Sequence, residues 1–339
     1  MEGVCVFSKK AMEIITDILF FLGGLAAIVK GADWLTDGSA SIARKFGIPS
    51  LVVGLTIVAM GSSAPELVVS VVAALNGNSD IALGNVVGSN IFNILGIMGI
   101  TAMVTPIAVE RGNIKYDVPF AILAAVAVAI TALDSLFNGG GCTDSISRSD
   151  GLLLICVFII FMVYTMSIAQ KDKDSSSATA EEDATGVLPM WRSVTYIVVG
   201  LAALIIGGNF LVDGASGIAT AIGISQAVVA LTIVSAGTSA PELAASIMAA
   251  RKGDTAMALG NVIGSNVFNV FFVLGAAATI QPIGAGGITM FDISALIASA
   301  VLLWVLCKFG KTYYTLTRME GGLLVVLAVA YYAVLVCCA

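Results

Sequence analysis

The chain has no histidine and little charge, since Lys, Arg, Asp and Glu make up 11% of its 339 residues, against about 25% in soluble proteins. The net charge is -6 and the basic residues form no stripe, so nucleic-acid binding is not expected. The lack of histidine excludes Ser–His and Cys–His catalysis, and the six cysteines form no Cys-x-x-Cys motif for zinc. The Gly310-Lys311-Thr312 tripeptide lacks the earlier glycine of a phosphate-binding loop. Neither an enzyme nor an ATP-driven pump is therefore expected.

Apolar residues make up 58% of the chain, the mean hydropathy is +1.02 and there are 36 glycines. This composition is typical of polytopic helical membrane proteins. A helix needs about 20 apolar residues to cross a bilayer, and ten stretches approach that length. The ten predicted spans are residues 13–40, 49–75, 80–105, 117–134, 151–169, 193–219, 224–250, 255–280, 289–307 and 321–338.

Two connections between the predicted spans are long: residues 135–150, and residues 170–186, which we predict to be a flexible linker. With ten spans both termini lie on one face, which carries only three basic residues. The other face carries twelve, so the positive-inside rule places that face and the linker 170–191 in the cytoplasm and both termini outside. We expect the membrane to be a plasma or inner membrane. The twelve are Arg44, Lys45, Arg111, Lys115, Lys171, Lys173, Arg192, Arg251, Lys252, Lys308, Lys311 and Arg318.

The chain contains an internal repeat. Residues 31–99 align without a gap to residues 207–275, with 35 identities in 69 positions. Each copy belongs to a half with five spans, and an odd number of spans inserts the second half upside down relative to the first. We therefore predict an all-α membrane protein of ten transmembrane helices built as two inverted five-helix repeats. The first half is residues 1–169 (repeat 31–105), and the second is residues 192–339 (repeat 207–280).

A proline interrupts the second and the seventh span at equivalent positions. Pro65 and Pro241 cannot donate a backbone hydrogen bond, so the carbonyls of Gly61 and Gly237 lose their helical partners. A single proline in a membrane helix would indicate a packing kink. Two equivalent prolines, each followed by a carboxylate, indicate broken helices that expose backbone oxygens to a ligand.

The carboxylates that follow these prolines are Glu66 and Glu242, near the middle of their spans. A charge at mid-membrane costs from about 2.5 to more than 10 kcal/mol, depending on the method. Lys30 is the one basic residue inside the predicted spans, and one lysine cannot neutralise two symmetric acids. We therefore predict that the pair binds an ion.

Oxygen-bearing side chains accompany both glutamates. Hydroxyls precede each glutamate and follow it by one turn, and amides lie on one face of the third and eighth spans. These donors favour a hard cation, and Ca²⁺, which takes six to eight oxygens in a tolerant geometry, suits them better than Mg²⁺. The Gly84–Gly88 and Gly260–Gly264 spacings indicate helix packing alone. The hydroxyls are Ser62, Ser63, Ser70, Thr238, Ser239 and Ser246, and the donors of the third and eighth spans are Asn85, Ser89, Asn93, Asn261, Ser265 and Asn269.

Two buried carboxylates are costly unless a proton or a cation neutralises them. If the halves change exposure only when the site is neutral, Ca²⁺ and monovalent ions become alternative occupants and exchange follows. The charge of the pair allows two protons or two Na⁺ for each Ca²⁺. A channel is less favoured, because paired carboxylates between broken helices fit a binding site better than a conduction filter.

At these residues the chain resembles the cation/Ca²⁺ antiporter superfamily, and within it the prokaryotic-type sodium/calcium exchangers. The two motifs of each repeat appear as GSSAPEL with GNVVGSNIFN and as GTSAPEL with GNVIGSNVFN. The resemblance implies a ten-helix antiporter that exchanges Ca²⁺ for Na⁺ by alternating access, with Ca²⁺/H⁺ exchange as the alternative. It implies no cofactor, and no obligate protein partner is expected beside the two ions and the lipid bilayer.

The resemblance also assigns ion-site residues. The positions that match are Glu66, Glu242, Ser63, Thr238, Ser239, Ser89, Ser265, Asn93 and Asn269, with backbone oxygens of Ala59 and Ser235. Several members of the superfamily carry Asp where this chain has Asn269, and the potassium-dependent ones use that Asp, so potassium coupling is not expected. Asp37 and Asp213 occupy equivalent positions near the ends of the first and sixth spans. We interpret them mainly as structural, with a role in Na⁺ entry or helix sliding as the alternative.

Overall fold

The computed structural model describes residues 2–138, 143–176, 188–221, 235–285 and 288–338. The described residues are mostly helical, and eight of their helices are long and apolar enough to cross a membrane; α2 and α3 form one further candidate span, bent by 47°. The helices are α1 Glu2–Phe46, α2 Ser50–Ser62, α3 Ala64–Leu75, α4 Ser79–Val104, α5 Asn113–Ala132, α6 Asp134–Asn138, α7 Arg148–Ser176, α8 Met190–Ala221, α9 Ser235–Thr238, α10 Ala240–Arg251, α11 Thr255–Ile280, α12 Met290–Phe309 and α13 Arg318–Cys338.

The centre of the molecule is formed by α4 and α11, which are far more buried than the other spanning helices. Leu83 and Ile91 in α4 and Leu259 and Val267 in α11 are fully buried. A helix surrounded by other helices is apolar on all sides except where it carries a polar site. The polar residues of α4 and α11 are therefore informative about function.

The two longest helices, α1 and α8, pack through glycines. A methyl group added at Gly31 would lie 2.8 Å from the carbonyl oxygen of Gly200, and one added at Gly200 would lie 2.8 Å from the oxygen of Gly31. Gly24 and Gly207 face each other in the same way. Residue numbers rise along α1 as they fall along the facing α8, so the two helices are antiparallel. Any side chain at these positions would force the backbones apart.

The helix breaks fall at the predicted prolines. Ser63, between α2 and α3, has φ -82° and ψ 11°, and Ser239, between α9 and α10, has φ -90° and ψ 9°. Pro65 and Pro241 each follow in the first turn of the next helix, where the missing N–H breaks no helical bond. Residues 222–234, which include the first part of the predicted seventh span, lie outside the described ranges.

Glycine spacing in α11 produces close packing, as predicted. A methyl group at Gly260 would lie 2.5 Å from the carbonyl oxygen of Leu51, and one at Gly264 would lie 2.6 Å from that of Leu55. These two glycines bring α11 against α2 and so position the break at Ser63. In the other repeat, the glycines Gly84 and Gly88 of α4 would face residues 227 and 231, which lie outside the described ranges.

The described residues are mostly helical, as the all-α prediction expects, and four strands of two residues each lie in the connections. β1 (Ile107–Ala108) pairs antiparallel with β4 (Thr315–Leu316), and β2 (Ser145–Ile146) pairs antiparallel with β3 (Ile283–Gly284). Residues Thr105 and Gln281, which end α4 and α11, are extended because prolines follow them. After each helix the chain is therefore extended, and the strand that follows α4 or α11 pairs with a strand of the other half.

Several helix ends differ from the predicted bounds. α7 continues to Ser176, into the segment predicted as a linker, and α1 is longer at both ends than the predicted 13–40. Residues 177–187, which include most of the predicted linker, lie outside the described ranges. Helix ends depend on turns and caps that hydropathy does not report, so such differences are expected.

Candidate ion-binding site

Glu66 and Glu242 lie in the first turns of α3 and α10, directly after the two breaks. Their exposed fractions are 0% and 1%. The first turn of a helix has N–H groups without intrahelical partners and a partial positive charge, both of which favour a carboxylate. The breaks therefore place two carboxylates in the interior and provide a polar backbone beside each.

The serine at each break reaches the glutamate of the other half. Ser63 Oγ donates to Glu242 Oε1 over 2.7 Å, and Ser239 Oγ donates to Glu66 Oε1 over 3.2 Å. The structure thus brings four of the predicted site residues together, although about 175 positions separate the partners along the chain.

An asparagine of the following helix holds each glutamate's backbone. Asn85 Nδ2 donates to the carbonyl of Glu66 over 3.2 Å and to Ser70 Oγ over 2.9 Å. The second half repeats these bonds at 3.2 and 2.8 Å. These bonds fix α3 on α4 and α10 on α11. The two sets are Asn85, Glu66 and Ser70, and Asn261, Glu242 and Ser246.

Two residues of the site, Asn90 and Asn266, are absent from the predicted set. Asn90 Nδ2 donates to the carbonyl of Asn266 over 3.2 Å, and Asn266 Nδ2 donates to the carbonyl of Asn90 over 3.2 Å. These bonds join α4 to α11 where the two helices cross. The sequence does contain a signal for them, because both repeats have asparagine at this position. A polar residue in a buried helix needs a hydrogen-bond partner, and here it is present in both helices.

The remaining amides make different contacts in the two halves. Asn93 Nδ2 donates to Asn266 Oδ1 over 3.0 Å, whereas Asn269 Nδ2 donates to Ser89 Oγ over 3.2 Å. Ser265, the equivalent of Ser89, has a buried hydroxyl without a hydrogen-bond partner in the described part of the chain. All of these side chains are buried in the interior of the molecule.

Acceptor oxygens without hydrogen bonds concentrate at this place. Among the described residues, Glu66 Oε2, Glu242 Oε2, Asn93 Oδ1 and Asn269 Oδ1 are buried and have no donor. A buried polar atom without a partner costs about 1–3 kcal/mol, and native structures contain few. These four atoms form two repeat-related pairs of hard oxygen donors suited to a cation such as Ca²⁺ or Na⁺. Asn90 Oδ1 also has no donor among the described residues, whereas its equivalent on Asn266 accepts from Asn93.

The other predicted site residues surround the breaks. Ser62 is buried, with its Oγ 3.3 Å from both the Ala59 carbonyl and Asn261 Oδ1. The Ala59 carbonyl also accepts from the backbone N–H of Ser63 over 3.0 Å, so it already has hydrogen-bond donors in this structure. Thr238 is half-buried and ends α9, and Ser235 begins it.

Lys30 does not neutralise the glutamates. It lies 2.8 Å from Asp33, and Lys252 lies 2.5 Å from Asp33 and 2.8 Å from Asp37. Within the described ranges no basic side chain forms an ion pair with Glu66 or Glu242, and no group of three or more acidic, histidine or cysteine side chains is present. The two glutamates are thus the acidic groups that a cation would meet here.

A buried, oxygen-rich site held by broken helices in a multi-pass membrane protein defines a membrane ion transporter. The chain belongs to the family described as sodium/calcium exchanger protein, which matches residues 16–167 and 192–337. This is a family of transporters and antiporters, and the match confirms the resemblance to the cation/Ca²⁺ antiporter superfamily.

Proteins of similar sequence and structure support this membership. The antiporter candidate CaxA of Alkalimonas amylolytica is 39% identical over 92% of this chain and 96% of its own length. The sodium/calcium exchanger MaX1 of Methanosarcina acetivorans is 31% identical over 95% of this chain and 99% of its own length. The solved structure of the sodium-calcium exchanger NCX_Mj soaked with 10 mM Na⁺ and zero Ca²⁺ has a TM-score of 0.78 and 30% identity, and covers 94% of this chain and 99% of that one.

Proposed function

We propose that this protein is a secondary active antiporter that exchanges Ca²⁺ for Na⁺ at a site between two inverted five-helix halves. The observation that carries the proposal is the reciprocal bonding of Ser63 with Glu242 and of Ser239 with Glu66, which leaves the second oxygen of each carboxylate without a donor among the described residues. Two carboxylates that point inward and lack a basic partner need a cation to offset their burial.

The inverted arrangement is supported by α1 and α8. These helices begin the two repeats, and they run antiparallel along their glycine contacts. A ten-helix fold follows if α2 with α3 forms one broken span and residues 224–250, of which 235–250 are described, form the other. The two halves are then residues 1–169 and 192–339, joined by a cytoplasmic linker, with both termini on the opposite side.

The ligands we propose are the oxygens around the two breaks. Carboxylates supply charge and the other groups supply neutral oxygens, which together reach the six to eight donors of Ca²⁺. Na⁺ ions occupy parts of the same set in turn. With Asn269 in place of an acid, the site charge is near -2, so potassium coupling is not expected. The set is Glu66, Glu242, Ser62, Ser63, Thr238, Ser239, Ser89, Ser265, Asn93 and Asn269, with the backbone oxygens of Ala59 and Ser235.

Exchange follows from the cost of an unneutralised site. Because two bare carboxylates are costly in a low-dielectric interior, the halves change exposure only with cations bound. Either one Ca²⁺ or a set of Na⁺ ions neutralises the site. When the halves change exposure with Ca²⁺ bound and release it, they return with Na⁺ bound, so the two ions move in opposite directions. The names of MaX1 and NCX_Mj as sodium exchangers favour Na⁺ over H⁺ as the counter-ion.

The test is transport in proteoliposomes that contain the purified full chain. Vesicles loaded with Na⁺ and diluted into Na⁺-free medium with ⁴⁵Ca²⁺ should accumulate the isotope, and a pH gradient of matched size should not drive uptake. Uptake that follows the pH gradient and ignores Na⁺ would identify Ca²⁺/H⁺ exchange instead. Single-channel currents in planar bilayers would contradict an antiporter.

A further inference from the structure

A groove outside the ion site lies between α5 and α12. Its volume is about 600 Å³, and three basic residues, Arg111, Lys115 and Lys308, line it. Its other lining residues include Ile122 and Val301, each seven residues along its helix from Lys115 or Lys308. Seven residues are about two helical turns, or roughly 10 Å. The groove therefore has a basic mouth and an apolar interior that extends toward the middle of the spans.

The basic residues at the mouth contact aromatic rings instead of acids. Arg111 lies 5.3 Å from the centre of the Tyr314 ring, and Lys308 lies 4.4 Å from that of Trp304. Among the described residues, none of the three forms an ion pair, although Glu110 precedes Arg111 in the chain. Aromatic faces orient a cation but leave its charge in place. The mouth consequently has three positive charges available to an anion.

The backbone of Tyr314 is held in an unusual conformation at this place. Its φ is 61°, and it is the one non-glycine residue with positive φ in the described ranges. Its carbonyl accepts from Val109 over 2.9 Å and its N–H donates to Cys307 over 3.2 Å. Such conformations persist when surrounding contacts impose them, and they are common at binding sites. Here the strained residue sets the aromatic wall beside Arg111.

The positions that correspond to Lys115 and Lys308 in the other repeat are uncharged. Asp117 and Asp292 begin the spanning parts of α5 and α12, and each accepts a hydrogen bond from a tyrosine hydroxyl. In that alignment Met290 stands where α5 has Lys115, and Leu133 stands where α12 has Lys308. The basic mouth is therefore confined to one end of the helix pair, the end that the charge distribution assigns to the cytoplasm.

We propose that this groove binds an anionic glycerophospholipid of the cytoplasmic leaflet. The phosphate group lies between Arg111, Lys115 and Lys308, and an acyl chain follows the apolar wall past Ile122 and Val301. A lipid fits better than a soluble anion because the interior is apolar and the groove lies between two spanning helices. Basic pockets between transmembrane helices on the cytoplasmic side bind lipid headgroups by this combination of charge and apolar contact.

The test is native mass spectrometry of the delipidated full chain titrated with phosphatidylglycerol or phosphatidylcholine of the same acyl chains. The unmodified protein should retain one phosphatidylglycerol at a concentration at least about tenfold lower than phosphatidylcholine. A variant with Arg111→Gln, Lys115→Gln and Lys308→Gln should lose this preference. A matched variant with Arg44→Gln, Lys45→Gln and Arg192→Gln, which removes the same charge elsewhere on the basic face, should keep it.

Further controls test whether the groove binds a lipid or any anion, and whether the loss of binding in a variant is due to misfolding. Inorganic phosphate in large molar excess should not displace phosphatidylglycerol, and displacement would overturn the proposal in favour of a plain anion site. An unchanged preference in the triple variant would also overturn it. If that variant aggregates, the single changes Lys115→Gln and Lys308→Gln should each weaken retention about fivefold. Glu66→Gln should retain the lipid normally, so the result is independent of the transport proposal.

Discussion

The two repeats agree in the bonds around their glutamates and differ at the ends of their broken helices. The asparagine bonds around Glu66 recur around Glu242 with nearly equal lengths, and each glutamate accepts from the serine of the other break, over 3.2 Å at Glu66 and 2.7 Å at Glu242. By contrast, Lys252 after α10 forms ion pairs with α1, whereas the equivalent residue after α3 is Asn76. A ligand shared by both halves requires the same chemistry from each. In the inverted arrangement that we propose, these helix ends face opposite sides of the membrane and have no such requirement.

The largest expected effect comes from breaking the symmetric centre. Glu66→Gln and Glu242→Gln should each abolish Na⁺-driven Ca²⁺ uptake, because each removes one of the two charges that offset Ca²⁺ while keeping the side-chain shape. Glu110→Gln, which changes an exposed acid, should transport normally. Retained uptake in either site variant, with normal elution on size exclusion, would refute the assignment of these residues to the ion site.

The next effect tests whether the two halves contribute equally. Ser63→Ala and Ser239→Ala each remove a hydrogen bond to a buried carboxylate, worth about 1.5–3 kcal/mol, so each should weaken apparent Ca²⁺ affinity by at least about tenfold. Uptake measured over a range of Ca²⁺ concentrations gives the values. Ser299→Ala, a buried serine that bonds within α12, is the control. A large effect from one serine alone would show that the site is functionally asymmetric.

A smaller effect is expected at the glycine contacts of α1 and α8. Gly31→Ala and Gly200→Ala should each destabilise the protein by about 1–3 kcal/mol, because the added methyl group meets a carbonyl oxygen at 2.8 Å. Gly23 has open space around it, so Gly23→Ala should leave the thermal unfolding midpoint unchanged or raise it slightly. Equal midpoints for all three variants would contradict the close packing.

The smallest effect concerns the residue pair that differs between the repeats. Lys252→Gln should lower the unfolding midpoint slightly, since ion pairs with a lysine side chain 28% exposed are worth about 0–1 kcal/mol. The difference should shrink at high salt because salt screens partly exposed charges. Asn76→Gln should have no effect at either salt concentration. A salt-independent loss for Lys252→Gln would mean that its role is packing.

The sequence predicts the helix breaks and their glutamates well because the repeat doubles each signal. One buried glutamate after a proline could be explained by a packing kink and a lysine partner. Glu66 and Glu242 occupy equivalent positions, which identifies the helix breaks and indicates that Lys30 cannot neutralise both acids. Their supporting hydroxyls and amides were also recognised from spacing. The spacing of residues along the chain does not predict that a side chain of one repeat contacts the other repeat, as Ser63 contacts Glu242.

Other features depend on tertiary contacts that hydropathy does not report. The π-helical turns Asn93–Met98 and Phe268–Leu274 contain Asn93 and Asn269, and such turns shift the faces of a helix without changing its hydropathy. The strands β1 to β4 form because two extended pairs meet across the halves. Asn90 and Asn266 gain their roles because α4 crosses α11 at that point.

The bonds that cross between the breaks make the binding centre indivisible. Neither five-helix piece, produced as a separate polypeptide, would hold its own carboxylate in place, so activity should return only when both pieces are co-expressed and meet in the same bilayer.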